Sequence, residues 1–265
     1  MRPGILTLTT DFGHDGPYVA SIKGIVLGLA PHTRLVDVTH AVAPQNILEA
    51  AFVLSGLIDV FPPGTVHLAV VDPGVGTDRR LVAVDLEGQW FVLPDNGLIS
   101  GALQGRSPGQ IRELTNPALR RSTVSCTFHG RDILAPAAAH LLRGGDPEEL
   151  GPIRADLILI PHFQSRSECG GFLGEVIFRD AFGNLITNIR SDRLEPAPPA
   201  SWTVEIHERR IRGLQQTYAD RPPGSLVALV GSSGWVEVAV VNGDAARLLN
   251  AGRGTTVRIR PEGRP

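Results

Sequence analysis

The period of the apolar pattern changes once along this chain of 265 residues, and that change limits what it can fold into. Up to about residue 160, short runs rich in β-branched residues alternate with longer runs of helical period. Ile5–Phe12 (ILTLTTDF), Arg34–His40 (RLVDVTH), Thr65–Asp72 (TVHLAVVD) and Arg80–Leu86 (RLVAVDL) read as strands. Tyr18–Ala30, Asn46–Phe61 and Arg131–Gly144 read as helices, the first ended by Pro31. Strands spaced by helices imply βαβ units, since parallel neighbours need a crossover long enough to hold a helix. After Gly171 the helical period is lost. FLGEVIFRD, NLITNI, SWTVEIHER, SLVALVGSSG, WVEVAVVN and TTVRIRP are short alternating runs broken by Gly or Pro, as in a small barrel or sandwich. The expected fold class is α/β: a three-layer α/β/α domain with a mostly parallel sheet over residues 1–160, a linker over 161–171, and a smaller all-β barrel-like domain over 172–265.

Composition removes several function classes. The net charge is -2 and no Lys/Arg run exceeds two residues, so no nucleic acid partner is expected. No apolar run reaches the ~18 residues of a membrane span, and the N-terminus enters a strand without the apolar stretch of a signal peptide. A cytoplasmic protein with no membrane partner is the expectation. Cys126 and Cys169 show no CxxC spacing, which gives neither a disulfide framework nor a zinc site. Lys23 is the one lysine; every other basic residue is arginine. No GxGxxG follows a strand, and no GxxxxGK[ST], GxSxG or HExxH occurs, which argues against dinucleotide, P-loop, serine-elbow and zincin chemistry.

In open α/β sheets the functional residues gather in loops at the carboxyl ends of strands, where Asp11, His40 and Asp72 fall. Asp11 ends a strand before a glycine loop and a helix; its carboxylate can accept two hydrogen bonds from a vicinal diol, or cap the next turn. Asp72 and Arg79 stand seven residues apart across a Pro-Gly turn in VVDPGVGTDRR, as a functional pair or as an ion pair stapling a loop. His129 in FHGRDILAP precedes a helix, as a base or as a cap, with Arg131 and Asp132 a local ion pair. In the second half, Asn184 and Asn188 offer amides to a base edge, and Ser232 and Ser233 between two glycines could cradle a carboxylate; both segments also make good β-turns.

Eight segments in order, spread over residues 9–240, resemble one family: TTDFG…YVASIKG, HAVAPQNILEAAFVL, VVDPGVGTDRR, LPDNGLIS, FHGRDILAP, DAFGNLITN, TYAD and SSGWVEVAV. It is the S-adenosylmethionine (SAM) hydroxide adenosyltransferase family, the SAM hydrolases, related to fluorinase and chlorinase. The resemblance implies an N-terminal α/β/α domain, a C-terminal β-barrel and a homotrimer with ligand sites between subunits. It implies hydrolysis of SAM, as substrate and with no cofactor or metal, to adenosine and L-methionine by attack of water at ribose C5′. Asp11 would bind the ribose hydroxyls, and Asp72, Arg79 and His129 would hold and activate water. Asp180, Asn184 and Ser232 would contact adenine or the methionine part, and Tyr218 would stack on adenine. Ser233 stands where the fluorinase has an arginine. The halogenating relatives carry other segments in place of DPGVGT and FHGRD, and an insertion not seen here, so the likeness is to the water-using branch. One departure is that the family's acid five residues after Asp11 is replaced by Gly16, with Asp15 one residue early. The alternatives are halogenase-type substitution, a metal-dependent hydrolase using Asp11, His40, Asp72 and His129, and a non-catalytic SAM or adenosine binder.

Overall fold

A computed structural model describes residues 4–195 and 197–262. The chain divides into two compact units, Met1–Ile160 and Pro161–Pro265. The first unit has strands β1 (Ile5–Thr10), β2 (Arg34–Thr39), β3 (Val66–Val70), β4 (Leu81–Leu86), β5 (Gln89–Pro94), β6 (Ile111–Glu113) and β7 (Ile153–Arg154), with helices α1 (Tyr18–Leu29), α2 (Ile47–Ser55) and α3 (Ala135–Leu142). The seven strands form one sheet in the order β2-β1-β3-β5-β4-β6-β7.

The sheet is mixed, which corrects the expectation of a mostly parallel one. β1 pairs in parallel with β2 and β3, and β3 with β5. β4 pairs antiparallel with β5 and β6, and β6 with β7. The cause lies in two residues. Glu87 and Gly88 both take positive φ (55° and 77°), which makes the tight mirror-type turn that folds β4 straight back onto β5. No helix stands between these two strands, so the alternation of strand and helix ends after β3. α2 also stops at Gly56, five residues before Phe61.

Side chains along the strands alternate between two cores. Leu6, Leu8, Leu68, Val70 and Ala83 join Ile22 and Val26 of α1 and Ala135 and Ala138 of α3 in one cluster. Ala69, Val71, Val82, Val84, Phe91 and Leu93 join Ala50 and Leu54 of α2 in another. Helices therefore cover both faces of the sheet. The parallel register sets Thr10 beside Val70, so Asp11 and Asp72 emerge from neighbouring strand ends. Gly130 lies on the same end, where a Cβ would come 3.2 Å from Val70 Cγ1.

The second unit has β8 (Arg166–Glu168), β9 (Gly171–Arg179), β10 (Leu185–Arg190), β11 (Trp202–Ile206), β12 (Arg209–Arg212), β13 (Leu226–Val230), β14 (Trp235–Val240) and β15 (Thr256–Pro261), with a short helix α4 (Ala245–Leu249). Its sheet runs β12-β11-β15-β9-β10-β14-β13, with β8 on β9. A bridge between Gln215 and Leu229 brings the two ends of that order together, so the sheet is nearly closed and barrel-like. Inside lie Val176, Leu185, Trp202, Val204, Val236, Val238 and Ile259. The stretch 161–171, expected as a linker, carries a 3₁₀ turn at Pro161–Phe163 and strand β8, which pairs with β9. No helix among the described residues is long and apolar enough to cross a membrane.

The entry to α3 holds a firmly anchored turn. Gly130–Leu134 form a π-helical turn, a geometry that recurs at functional sites because it re-aims side chains. Asp132 in that turn is fully buried and accepts from Arg131 Nε (2.7 Å), the Ser125 backbone N–H (2.8 Å) and Arg121 Nη1 (3.1 Å). Burial alone would push its carboxyl up, but these donors outweigh burial and hold it at about 2, against 3.8 for a free carboxyl. Because the folded value is the lower one, the stabilisation is complete above about pH 5 and is lost as pH falls through 4 towards 2. A shift of this size is worth about 2 kcal/mol. Asp132→Asn is expected to lower stability by about that amount at neutral pH, and to flatten the acid limb of a denaturation profile between pH 5 and 2.

Candidate active site

Asp72 stands two residues past the end of β3, and the chain then turns through DPGVGT. Thr77 Oγ1 donates to the Gly74 carbonyl at 2.7 Å, and the Val75 N–H to the Asp72 carbonyl at 3.2 Å. Gly76 has φ +84°, and a Cβ there would come 2.6 Å from the Cys126 carbonyl oxygen. Glycine is thus required both by conformation and by the close approach of the loop preceding His129.

This turn brings Arg79 back over Asp72. Arg79 Nε donates to Asp72 Oδ1 at 2.6 Å and Nη2 donates to Oδ2, a two-pronged pair. Both side chains are nearly enclosed, 9 % and 5 % exposed. The third nitrogen, Nη1, donates to His129 Nδ1 at 3.1 Å. A guanidinium has no acceptor, so Nδ1 must be the accepting nitrogen and the neutral imidazole carries its proton on Nε2. Burial, and then the neighbouring Arg79 charge, hold His129 below the ordinary histidine range. The next residue points elsewhere, as successive residues entering a strand do. Arg80 Nε donates to the buried Asp95 at 2.8 Å, and Nη1 to Asp156 at 3.1 Å. Arg80 therefore fixes the end of β4, while Asp95 also accepts the Ile158 N–H at 2.8 Å.

Asp11 Oδ2 accepts the Gln45 backbone N–H at 2.8 Å, which ties the end of β1 to the loop before α2. Beside it, Phe12, Tyr18 and Phe128 pack mutually, with ring centroids 5.4–5.8 Å apart. Their sequence separation hid this wall. His40 is buried, with Nδ1 2.9 Å from Thr10 Oγ1 and Nε2 3.0 Å from Asp37 Oδ1. Lys23 Nζ also meets Asp37, at 2.6 Å. Among the described residues, no group of three or more His, Cys, Asp or Glu side chains is placed to hold a metal ion.

In the second unit, Asp180 organises the β9–β10 turn. Its Oδ1 accepts the N–H groups of Phe182 (2.9 Å) and Asn184 (2.8 Å), and its Oδ2 accepts Asn184 Nδ2 at 2.9 Å. Gly183 has φ +84° in this turn, and a side chain there would run into Asp244. Asp180, Phe182, Asn184 and Tyr218 line a cavity of about 520 Å³ with Val240, Asn242 and Gly243. Asn188 has no amide left for a base edge. It is buried, its Oδ1 accepts the Glu175 N–H at 2.9 Å, and its Nδ2 donates to the His162 carbonyl at 2.8 Å. Ser232 and Ser233 lie exposed in the turn between β13 and β14, closed by the Gly231 N–H to Trp235 O bond of 2.9 Å. Sequence reasoning passed over Glu237 in β14, whose carboxylate accepts the Tyr218 hydroxyl. An acid inside the apolar run WVEVAV was the available signal.

Comparison with known proteins gives the family. Residues 6–151 match the SAM hydroxide adenosyltransferase N-terminal domain, and residues 174–258 the C-terminal domain of the same family. A protein of Salinispora tropica named (R)-S-adenosyl-L-methionine hydrolase is 40% identical over 96% of this chain and 97% of its own. One of the same name from Thermus thermophilus is 40% identical over 98% of this chain and 100% of its own. The crystal structure of a conserved protein from Thermotoga maritima superposes with a TM-score of 0.87 at 34% identity, covering 97% of this chain and 98% of that one. The chain belongs to the SAM hydroxide adenosyltransferase family.

Proposed function

We propose that this protein hydrolyses S-adenosyl-L-methionine to adenosine and L-methionine by in-line attack of water on ribose C5′. The observation that carries the reading is the Arg79 guanidinium, which grips Asp72 with two nitrogens and His129 Nδ1 with the third. Each Asp72 oxygen gives one lone pair to arginine and keeps capacity to accept from water. His129 is left to donate from Nε2. A water between them would donate to Asp72 and accept from His129, with its second lone pair directed at carbon. As the C5′–O bond forms, the C5′–S pair returns to sulfur and the water proton passes towards Asp72. His129 is excluded as first acceptor by its tautomer. The sulfonium leaves as a neutral thioether, so no general acid is required. Positioning of this kind supplies up to ~7–11 kcal/mol in well-oriented systems, and a placed base a further ~10²–10⁴-fold.

In this reading Asp11 binds the ribose hydroxyls, and Tyr218 offers its face to adenine in the cavity it shares with Asp180 and Asn184. Ser232 and Ser233 meet the methionine carboxylate. The assembly is a homotrimer in which one subunit's first unit and its neighbour's second unit serve one ligand. The compartment in this reading is the cytoplasm. The names of the relatives support water as the nucleophile, as does the intact DPGVGT and FHGRD pair.

Incubation with SAM, with and without chloride or fluoride, followed by chromatography, is expected to give adenosine and methionine in every case; a 5′-haloadenosine would overturn the reading. Asp72→Asn is expected to lower kcat by ~10²–10⁴-fold with KM changed only a few-fold. Turnover like the wild type in that variant would remove Asp72 from the mechanism. The lowered His129 value also has a direction. The neutral ring persists as pH falls past ~6.5, so activity should hold through that region and drop only below it. In NMR titrations the His129 ring should change charge below ~6.5 and move upward in Arg79→Gln, which removes a neighbouring positive charge.

A further inference from the structure

We propose that Glu237 is a positioning residue for ligand binding, which fixes the Tyr218 ring as a rigid wall of the second unit's cavity without touching the ligand itself. The proposal rests on the reading of that cavity as the place where adenine binds.

Glu237 lies in mid-strand in β14, opposite Leu229 of β13 and Ile186 of β10. It is 7 % exposed, and its strand neighbours Val236 and Val238 are fully buried. One carboxylate oxygen accepts the Tyr218 hydroxyl. The other lies against the GSSG turn, where a Cβ on Gly231 would come 2.5 Å from Oε2. The remaining charged group acting on Glu237 is a second acid, Asp180, rather than a cation. Burial therefore pushes the Glu237 carboxyl up, and burial followed by Glu237 pushes the Tyr218 phenol up. A buried acid costs stability, which an apolar residue in this strand would not. Packing of the barrel gives no reason for it.

The contact does give a reason. Tyr218 sits in a 3₁₀ turn, Tyr218–Asp220, held by a capping box between Thr217 and Asp220. Asp220 Oδ2 accepts the N–H groups of Gln216 (2.9 Å) and Thr217 (3.2 Å). The backbone end of the tyrosine is thus fixed by the turn and the hydroxyl end by Glu237. The ring between them is 41 % exposed and lines the cavity. A flat side chain clamped at both ends loses no further freedom when a planar base stacks on it. The same glutamate also lies close enough to Gly231 that a side chain there would meet its carboxylate, so the aromatic wall and the serine turn adjoin one residue.

The test uses Tyr218→Phe, which removes one hydroxyl, Glu237→Gln, which keeps the shape, and the double variant. Affinities for SAM and adenosine are measured by calorimetry, alongside KM and kcat. Each single variant is expected to weaken binding and raise KM about 3- to 10-fold, as when one side chain must be ordered on binding. The expected kcat stays within about twofold, and the double variant is no worse than either single one, because all three lose the same contact. A structural role alone would lower thermal stability and leave KM unmoved. Unchanged affinity in both single variants, or losses that add in the double, would overturn the proposal. The chain has two tyrosines, so a Tyr18→Phe background isolates the Tyr218 phenol in an ultraviolet titration of the free protein. Its ionisation is expected to move to lower pH in Glu237→Gln, and an unmoved titration also counts against the contact. If the wild type binds neither SAM nor adenosine, the functional reading itself has failed. If the wild type binds and Glu237→Gln binds equally well, only the role of Glu237 has failed.

Discussion

The Arg79 guanidinium is the interaction on which the first unit's site depends. Its Nε, Nη1 and Nη2 all donate at once, two to Asp72 and one to His129. Three side chains from two distant segments are thereby reduced to a single geometry. A lysine could not do this, because an ammonium has neither the planar fork nor the reach to a third acceptor. The arrangement also decides a tautomer, since an obligate donor on Nδ1 leaves Nε2 as the protonated nitrogen. Near-complete enclosure of the Asp72 and Arg79 side chains keeps the pair from being loosened by solvent.

The fold supplies the two segments through unlike devices. Asp72 arrives by register, because β1 and β3 run in parallel and end together. His129 arrives through a π-helical turn anchored by the buried carboxylate of Asp132, with two arginines and a backbone N–H as donors. Gly76 and Gly130 then permit the close approach of the loop and the turn. The charges in this region are thus arranged as satisfied pairs, with Arg80–Asp95 and Arg131–Asp132 flanking the central one. The cavity wall in the second unit is built differently. There a carboxyl is buried without a cation, and the structure tolerates that cost at the tyrosine it holds.

Much of this was legible in the sequence, for reasons that can be named. The strand ends at Asp11 and Asp72 follow from β-branched runs that stop at a turn, and the helix at Tyr18 from its period and its terminal proline. The Asp72–Arg79 contact follows from seven residues around a Pro-Gly turn. The antiparallel half of the first sheet was not read, because Glu87–Gly88 is a two-residue turn without the usual Asn-Gly signature. Neither was the partner of Arg80, because Asp95 and Asp156 are distant in sequence and only the fold brings them to it. Asn188 looked free for a ligand, but its amide is spent on three backbone groups that only the tertiary structure brings within reach. Glu237 escaped notice because β-strand alternation assigns polar residues to the solvent face, and both faces of β14 are buried.

In the proposed reading, the composition of the first unit's candidate site also suits the kind of bond that is broken. Hydrolysis of an ester, amide or phosphate develops negative charge on a leaving or carbonyl oxygen, which needs a proton donor or an oxyanion pocket. Here the Arg79 guanidinium is committed to Asp72 and His129, and His129 has a single proton to offer, from Nε2. A sulfonium asks for neither. It begins positive and leaves neutral, so cleavage removes charge from the leaving atom rather than adding it. What the reaction demands is a nucleophile held in line and a group to receive its proton as attack proceeds, and a carboxylate steadied by arginine beside a donating imidazole meets both demands. The chemistry of the leaving group and the donors left over after the internal pairing thus fit the proposed substrate.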